Sequence, residues 1–203
     1  MKAIDIESLL ANKNSLDQLA EKLQAQDIAW LVSLLKEKDD QIRYPAFLLL
    51  QKRSQRFADV YPFWQAFTEK LSDANSYQRS IGIMLLAENI RWDDQQQFAL
   101  VFTDFISHFQ DEKFITARQT MQTIPLWAKY VQNLLPATVQ ALINIDIGSF
   151  KETQQKLILL DIIHALLAIR ELAPSEQIYL YIDRALTGGK LDKKSIKQLE
   201  KLL

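Results

Sequence analysis

Asp161 and His164 interrupt the apolar run LILLDIIHALLAI. Three residues apart on a helix they are neighbours, and a carboxylate beside an imidazole is the pairing general-base chemistry uses. The rest of such a site is missing from the sequence. No Ser stands nearby as a nucleophile, and the chain has no cysteine at all. His108 is the other of its two histidines, so a zinc site would need carboxylates to complete it. A polar stripe on a mostly buried helix accounts for the pair without catalysis. The tryptophans Trp30, Trp64, Trp92 and Trp127 could stack on bases or sugars. Yet Trp30 and Trp64 occupy similar places in successive amphipathic segments, which makes packing the expected role. The cluster Lys52-Arg53-Ser54-Gln55-Arg56 reads as charges favoured by a helix C-terminus. No catalytic, metal or cofactor site is expected from these residues.

Composition narrows the class of fold that holds them. Only four Gly and five Pro occur in 203 residues, against usual frequencies of about 7% and 5%. Sheet proteins use many tight turns built from Gly, Asn and Pro, so this chain points to helices with short connections. Twenty-four basic and 25 acidic residues leave a net charge of −1, with no global field toward nucleic acid or anionic lipid. Acids interrupt the N-terminal segment MKAIDIESLLANKN where a signal peptide needs an apolar core. The strongly apolar run 81–87 falls far short of the roughly 20 residues that span a bilayer. A cytoplasmic protein without membrane contact is the expectation.

Apolar residues recur at helical spacing almost throughout. Leu16, Leu19, Ala20 and Leu23 follow Ser15, which with Gln18 resembles a capping box. Asp27 suits an N-cap for a helix carrying Trp30, Leu31, Leu34 and Leu35. Pro125 predicts a kink or an early stop after Arg118, and Pro174-Ser175-Glu176 a helix start. Gly188-Gly189 closes that last helix.

Four segments then align on a basic residue: Arg43 in DDQIRYPAFLLL, Arg79 in NSYQRSIGIMLL, Arg118 in FITARQTMQTIP and Lys156 in ETQQKLILLDII. The intervals are 36, 39 and 38 residues. Three positions on stand Ala46, Gly82, Met121 and Leu159; six on stand Leu49, Leu85, Ile124 and Ile162. This spacing keeps both sets on one helical face. Amphipathic segments at 27–37, 61–71, 93–109 and 131–145 precede the aligned helices, and a fifth at 174–187 precedes a short one near 192–203. A two-helix unit recurring at such a period is the mark of a solenoid, where neighbouring pairs stabilise one another.

The segments WLVSLLKEKDDQIRYPAFLL and FWQAFTEKLSDANSYQRSIGIMLLA resemble the HEAT repeat family: a first helix, an Asp-rich turn, and a second helix opening near an Arg. The third copy is looser, and the fourth has Lys156 in place of Arg. The resemblance implies an all-α, right-handed α-α superhelix of about five helix pairs. These fall near 27–57, 61–90, 93–130, 131–171 and 174–203, in one domain over 1–203 with N-terminal helices 4–24 as a cap. It also implies that second helices line the concave side, and that Asp40, Asp73 and Asp111 pair with Arg43, Arg79 and Arg118 between repeats.

If the aligned basic residue sets the helical phase, one face collects Tyr44, Leu48, Gln51 and Gln55, then Ser80, Met84, Ala87 and Arg91. The third helix adds Gln119, Thr123, Leu126 and Tyr130, and the fourth Leu157, Asp161, His164 and Ala168. A merely solvated face would be mostly charged. This one mixes aromatic, Met, amide and Arg side chains, as interfaces do. The expected function is therefore a non-enzymatic scaffold that holds a protein or peptide on its concave face. A nucleic-acid enzyme similar to the alkylated-base glycosylases, also built from HEAT-like repeats, is the alternative, but no motif here carries over its catalytic residues. A duplex groove needs about 6–10 phosphate contacts, and the expected face offers Arg91 and little else. An enzyme centred on Asp161 and His164 is the third reading.

Overall fold

The computed structural model describes residues 16–203, and every regular element among them is helical. The expected cap over 4–24 and the Ser15 capping box fall largely outside the described residues. Contacts group the chain into two compact units, Met1–Phe98 and Ala99–Leu203. The division falls within the third expected pair, near 93–130.

In the first unit, α1 (Leu16–Lys22) and α2 (Ala25–Leu34) precede α3 (Asp40–Ser54). Asp27 is not the N-cap of α2. Gln24 holds that place, and Asp27, in the first turn, accepts a hydrogen bond from the Gln24 amide at 2.9 Å. Asp39 caps α3 through the Gln41 amide at 2.8 Å. A 3-10 segment, Ala58–Phe63, contains Pro62 and leads into the short α4 (Trp64–Thr68) and a second 3-10 turn, Glu69–Ser72. Asn75 then caps α5 (Ser76–Asn89) by accepting from the Tyr77 amide at 2.9 Å. Short polar side chains thus meet the orphan amides that each helix start leaves. Within this unit α3 packs against α1, α2 and α5.

The other helices include α6 (Gln97–Ser107), which begins at the division, and α7 (Phe114–Gln122). Pro125 ends α7 early: α8 (Ile124–Trp127) starts anew with the proline in its first turn, where a missing N–H does no harm. Next come α9 (Leu135–Ile143), the uninterrupted 19-residue α10 (Glu152–Arg170), α11 (Glu176–Thr187) and α12 (Lys193–Leu199). Ser175 is the N-cap of α11, and Gly189 beyond its end takes φ 77°, the left-handed conformation that glycine adopts freely. In this unit α10 packs against α7, α9 and α11.

The aligned repeat positions are core positions in both units. Ala46, Leu49, Leu85, Met121, Ile124 and Ile162 have no exposed surface, and Leu159 and Gly82 are buried. Gly82 is small for a reason of approach. A Cβ there would stand 2.7 Å from the Phe67 carbonyl oxygen and 2.8 Å from the Lys70 Cβ, so α5 lies directly on the α4 turn. Gly82→Ala should force these elements apart and destabilise the first unit by about 1–3 kcal/mol. A urea titration of the variant checks it; an unchanged midpoint would show that the contact yields freely.

Candidate functional site

The residues expected on one face separate into three groups. Tyr44, Gln55, Tyr130 and His164 are exposed, and Gln51, Met84, Arg91 and Gln119 are half-buried. Ser80, Thr123 and Asp161 are buried. Thr123 lies at the break before Pro125, where its hydroxyl donates to the Thr120 carbonyl at 2.7 Å and accepts from Trp127 Nε1 at 3.2 Å.

In the first unit three of the expected residues meet around one carboxylate. Glu88, 1% exposed, sits on α5. Gln55 Nε2 donates to its Oε1 at 3.0 Å, and Gln51 Nε2 to the same oxygen at 3.4 Å. Arg91 Nη2 pairs with its Oε2 at 3.0 Å, while Arg91 Nη1 donates to the Gln55 carbonyl, also at 3.0 Å. A buried carboxylate must find hydrogen-bond donors or a cation, and these three residues supply both. Toward the other end of the same helices α3 exposes Tyr44 (58%) and α5 exposes Tyr77 (67%), with Leu48 and Met84 half-buried. The Arg43 guanidinium lies 5.9 Å from the Tyr77 ring centroid, linking the two helices.

A comparable device recurs in the second unit. Asp161 on α10 accepts from Gln122 Nε2 at 2.9 Å and pairs with Arg118, whose Nη2 lies 3.2 Å from its Oδ1. The Asp161 carboxylate is thus committed to α7, and His164 is exposed one turn further along α10. The Gln119 Oε1 is buried without a partner. Glu88 and Gln122 were missing from the sequence reading. Glu88 had left a signal: a lone acid in the apolar run IGIMLLAEN needs a partner if it is buried.

The expected Asp–Arg pairs are differently arranged. Arg43 pairs with Asp40 of its own turn and donates to the Glu37 carbonyl. Arg79 donates to the carbonyls of Asp73 and Ala74. Asp111 Oδ2 lies 2.8 Å from His108 Nδ1, and its Oδ1 accepts from the Lys113 amide just before α7. The fourth basic residue, Lys156, reaches Asp192, the N-cap of α12. That contact, with the Ser195 amide, holds the Asp192 carboxyl well below the usual carboxylate range.

The basic cluster is also committed. Lys52 faces Asp17 at 3.2 Å, Arg53 grips Asp59 at 2.7 Å, and Arg56 pairs with Glu21. Trp64 and Trp127 are buried, and Trp92 Nε1 donates to the Ser54 carbonyl at 2.7 Å. Tyr61 donates to Asp93 at 2.7 Å; burial, then this bond, push its hydroxyl up to about 12. Burial lowers Lys70 from its ordinary value. Among the described residues no three His, Cys, Asp or Glu side chains gather as metal ligands, and no helix is long and apolar enough to cross a membrane.

No family model matches the chain, and no curated protein matches it. Among solved structures it is similar to an engineered protein from the Northeast Structural Genomics Consortium. The TM-score is 0.47 and the identity 14%, over 97% of this chain and 93% of that one.

Proposed function

We propose that the chain is a non-enzymatic protein-binding module: a right-handed array of HEAT-like helix pairs that holds its partner on the faces of its second helices. The observation that carries this reading is the α3–α5 face. Along its length it exposes two tyrosines and the edges of Leu48 and Met84, and at one end a Gln–Glu–Arg network with no surplus charge. Aromatic, Met and Arg side chains with charge neutralised are what the core of an interface presents.

The array itself is supported by the spacing of the polar cross-links. In the first unit Arg53 reaches back 33 residues to Ala20, Asn89 35 to Ser54, Arg91 36 to Gln55 and Trp92 38 to Ser54. In the second, Gln122 and Asp161 are 39 apart and Lys156 and Asp192 are 36 apart. These separations lie close to the interval between aligned basic residues, as expected where each repeat leans on the next.

A nucleic-acid partner is disfavoured by the same face. Arg43, Lys52 and Arg53 of α3, with Arg56 and Arg91 just past the ends of α3 and α5, each face a carboxylate. The test is a Tyr44→Ala/Tyr77→Ala double variant. Both side chains are largely exposed, so the fold should be unchanged within about 0.5 kcal/mol. A protein partner isolated on the wild-type chain should bind the variant at least about tenfold more weakly. Duplex DNA binding that falls steeply between about 50 and 200 mM salt would overturn the reading in favour of a nucleic-acid partner.

A further inference from the structure

We infer that the lysine stripe of α12 docks an acidic segment of a partner protein, through ion pairs to Lys193, Lys194 and Lys197. This rests on the protein-binding reading and specifies the chemistry of the partner.

Two cations of α10 hold α12 by its ends. Lys156 pairs with Asp192, the N-cap, and Arg170 Nη2 donates to the Leu202 carbonyl at 3.1 Å, just past the last turn. Ser195 and Leu199 are buried. Lys193, Lys194 and Lys197 lie on the opposite side of the helix and are exposed, as is Lys201 in the turn that follows. The segment 190–203 holds five lysines against two acids, Asp192 and Glu200, in a chain whose net charge is −1.

Helix stability does not ask for these charges. Lys193 and Lys194 take the first two positions of α12, where the helix dipole disfavours cations. Lys193 and Lys197 stand four apart, so they repel one another. Asp192 brings no relief, because its carboxylate is taken by Lys156 and the Ser195 amide. Among the described residues none of the four exposed ammonium groups meets a carboxylate. The cations within α7 and α10 behave differently: Arg118, Lys156 and Arg170 each face one. A stripe that is unfavourable where it stands and serves no internal contact is charge left for a partner to neutralise.

The surroundings select the partner. The apolar side of α12 is turned into the unit, so the helix has no such face to lay in a lipid interface. A duplex groove takes about 6–10 phosphate contacts, more than this stripe can make. Lys193 and Lys197 are separated by about 6 Å of helix rise. Acidic side chains recur at that distance on one turn of a helix or at alternate residues of an extended segment. Leu202 and Leu203, exposed just beyond the stripe, add apolar contact that a protein segment can use.

The probe is a fluorescent oligoglutamate peptide titrated into the full chain at low salt. It should move the NMR signals of the α12 amides. Lys193→Gln/Lys194→Gln/Lys197→Gln should weaken binding at least about tenfold. Lys22→Gln/Lys36→Gln/Lys38→Gln removes equal charge from exposed sites of the first unit and should cost less than about threefold. The α12 variant should unfold at the urea midpoint of the wild type or above it. Equal losses in the two variants, signals moved elsewhere, or a lower midpoint for the α12 variant would overturn the inference. So would tighter α12-dependent binding to phosphatidylserine vesicles or duplex DNA than to the peptide. A protein partner lost with Tyr44→Ala/Tyr77→Ala but indifferent to the α12 variant also overturns it, and leaves the protein-binding reading standing. If no protein partner binds at all, both fall.

Discussion

Replacing Trp127 with alanine is expected to cost the second unit about 3–5 kcal/mol, a large share of the about 5–15 kcal/mol that holds most domains folded. The indole has no exposed surface. Phe105 meets it edge-on, with ring centroids 6.2 Å apart and planes at 90°. Its Nε1 donates to Thr123 Oγ1 at the break before Pro125. Truncation leaves a large cavity and removes the donor from a buried hydroxyl. The short α8, only four residues long, would keep Ile124 as its one other buried side chain. Hydrogen exchange should accelerate through α7, α8 and α10, and the urea midpoint should fall. Trp127→Phe should recover a good part of the loss, since it restores most of the volume. Unchanged protection in those helices would show that the side chain only fills space that neighbours can close.

Arg53→Met should destabilise the first unit by about 2–4 kcal/mol, although it puts an apolar chain of similar length in a buried place. Arg53 Nε and Nη2 grip both Asp59 oxygens, at 3.0 and 2.7 Å. Nη1 donates to the Ala20 carbonyl at 2.8 Å and the Glu21 carbonyl at 3.2 Å, satisfying the end of α1. The guanidinium also lies 3.6 Å from the Phe57 ring centroid. Methionine keeps the packing and strands every acceptor. Because Asp59 is about one-third exposed, water softens the loss. Lysine should rescue less than half of it, as a point charge cannot meet a carboxylate and two carbonyls at once. Urea titrations of the three proteins measure this; full rescue by lysine would mean that charge alone matters.

Some of this was legible in the chain and some was not. The positions three and six beyond each basic residue were correctly read as core, because apolar periodicity reports directly on which face is removed from water. Pro125 and Gly189 acted as their covalent geometry requires. The face opposite the core was read less sharply. Ser80, Thr123 and Asp161 share its spacing with Tyr44 and Gln55, yet they are buried. Neighbouring helices cover more than one stripe of α5, and a heptad-like count cannot say how wide that cover is. The Asp161–His164 pair failed for a related reason. Adjacency along α10 was visible, whereas Arg118, 43 residues away, was a competitor only packing could supply.

Local rules written along the chain determined that this protein is helical, where most of its helices start and stop, and which side of each is apolar. Those properties depend on residues within a turn or two of one another, and period, caps and breakers record them. Only the tertiary structure decided that Glu88 draws Gln51, Gln55 and Arg91 into one network and that Arg118 claims Asp161. The partners of a buried charge are chosen by which helices meet and at what height, a quantity that no stretch of sequence contains by itself.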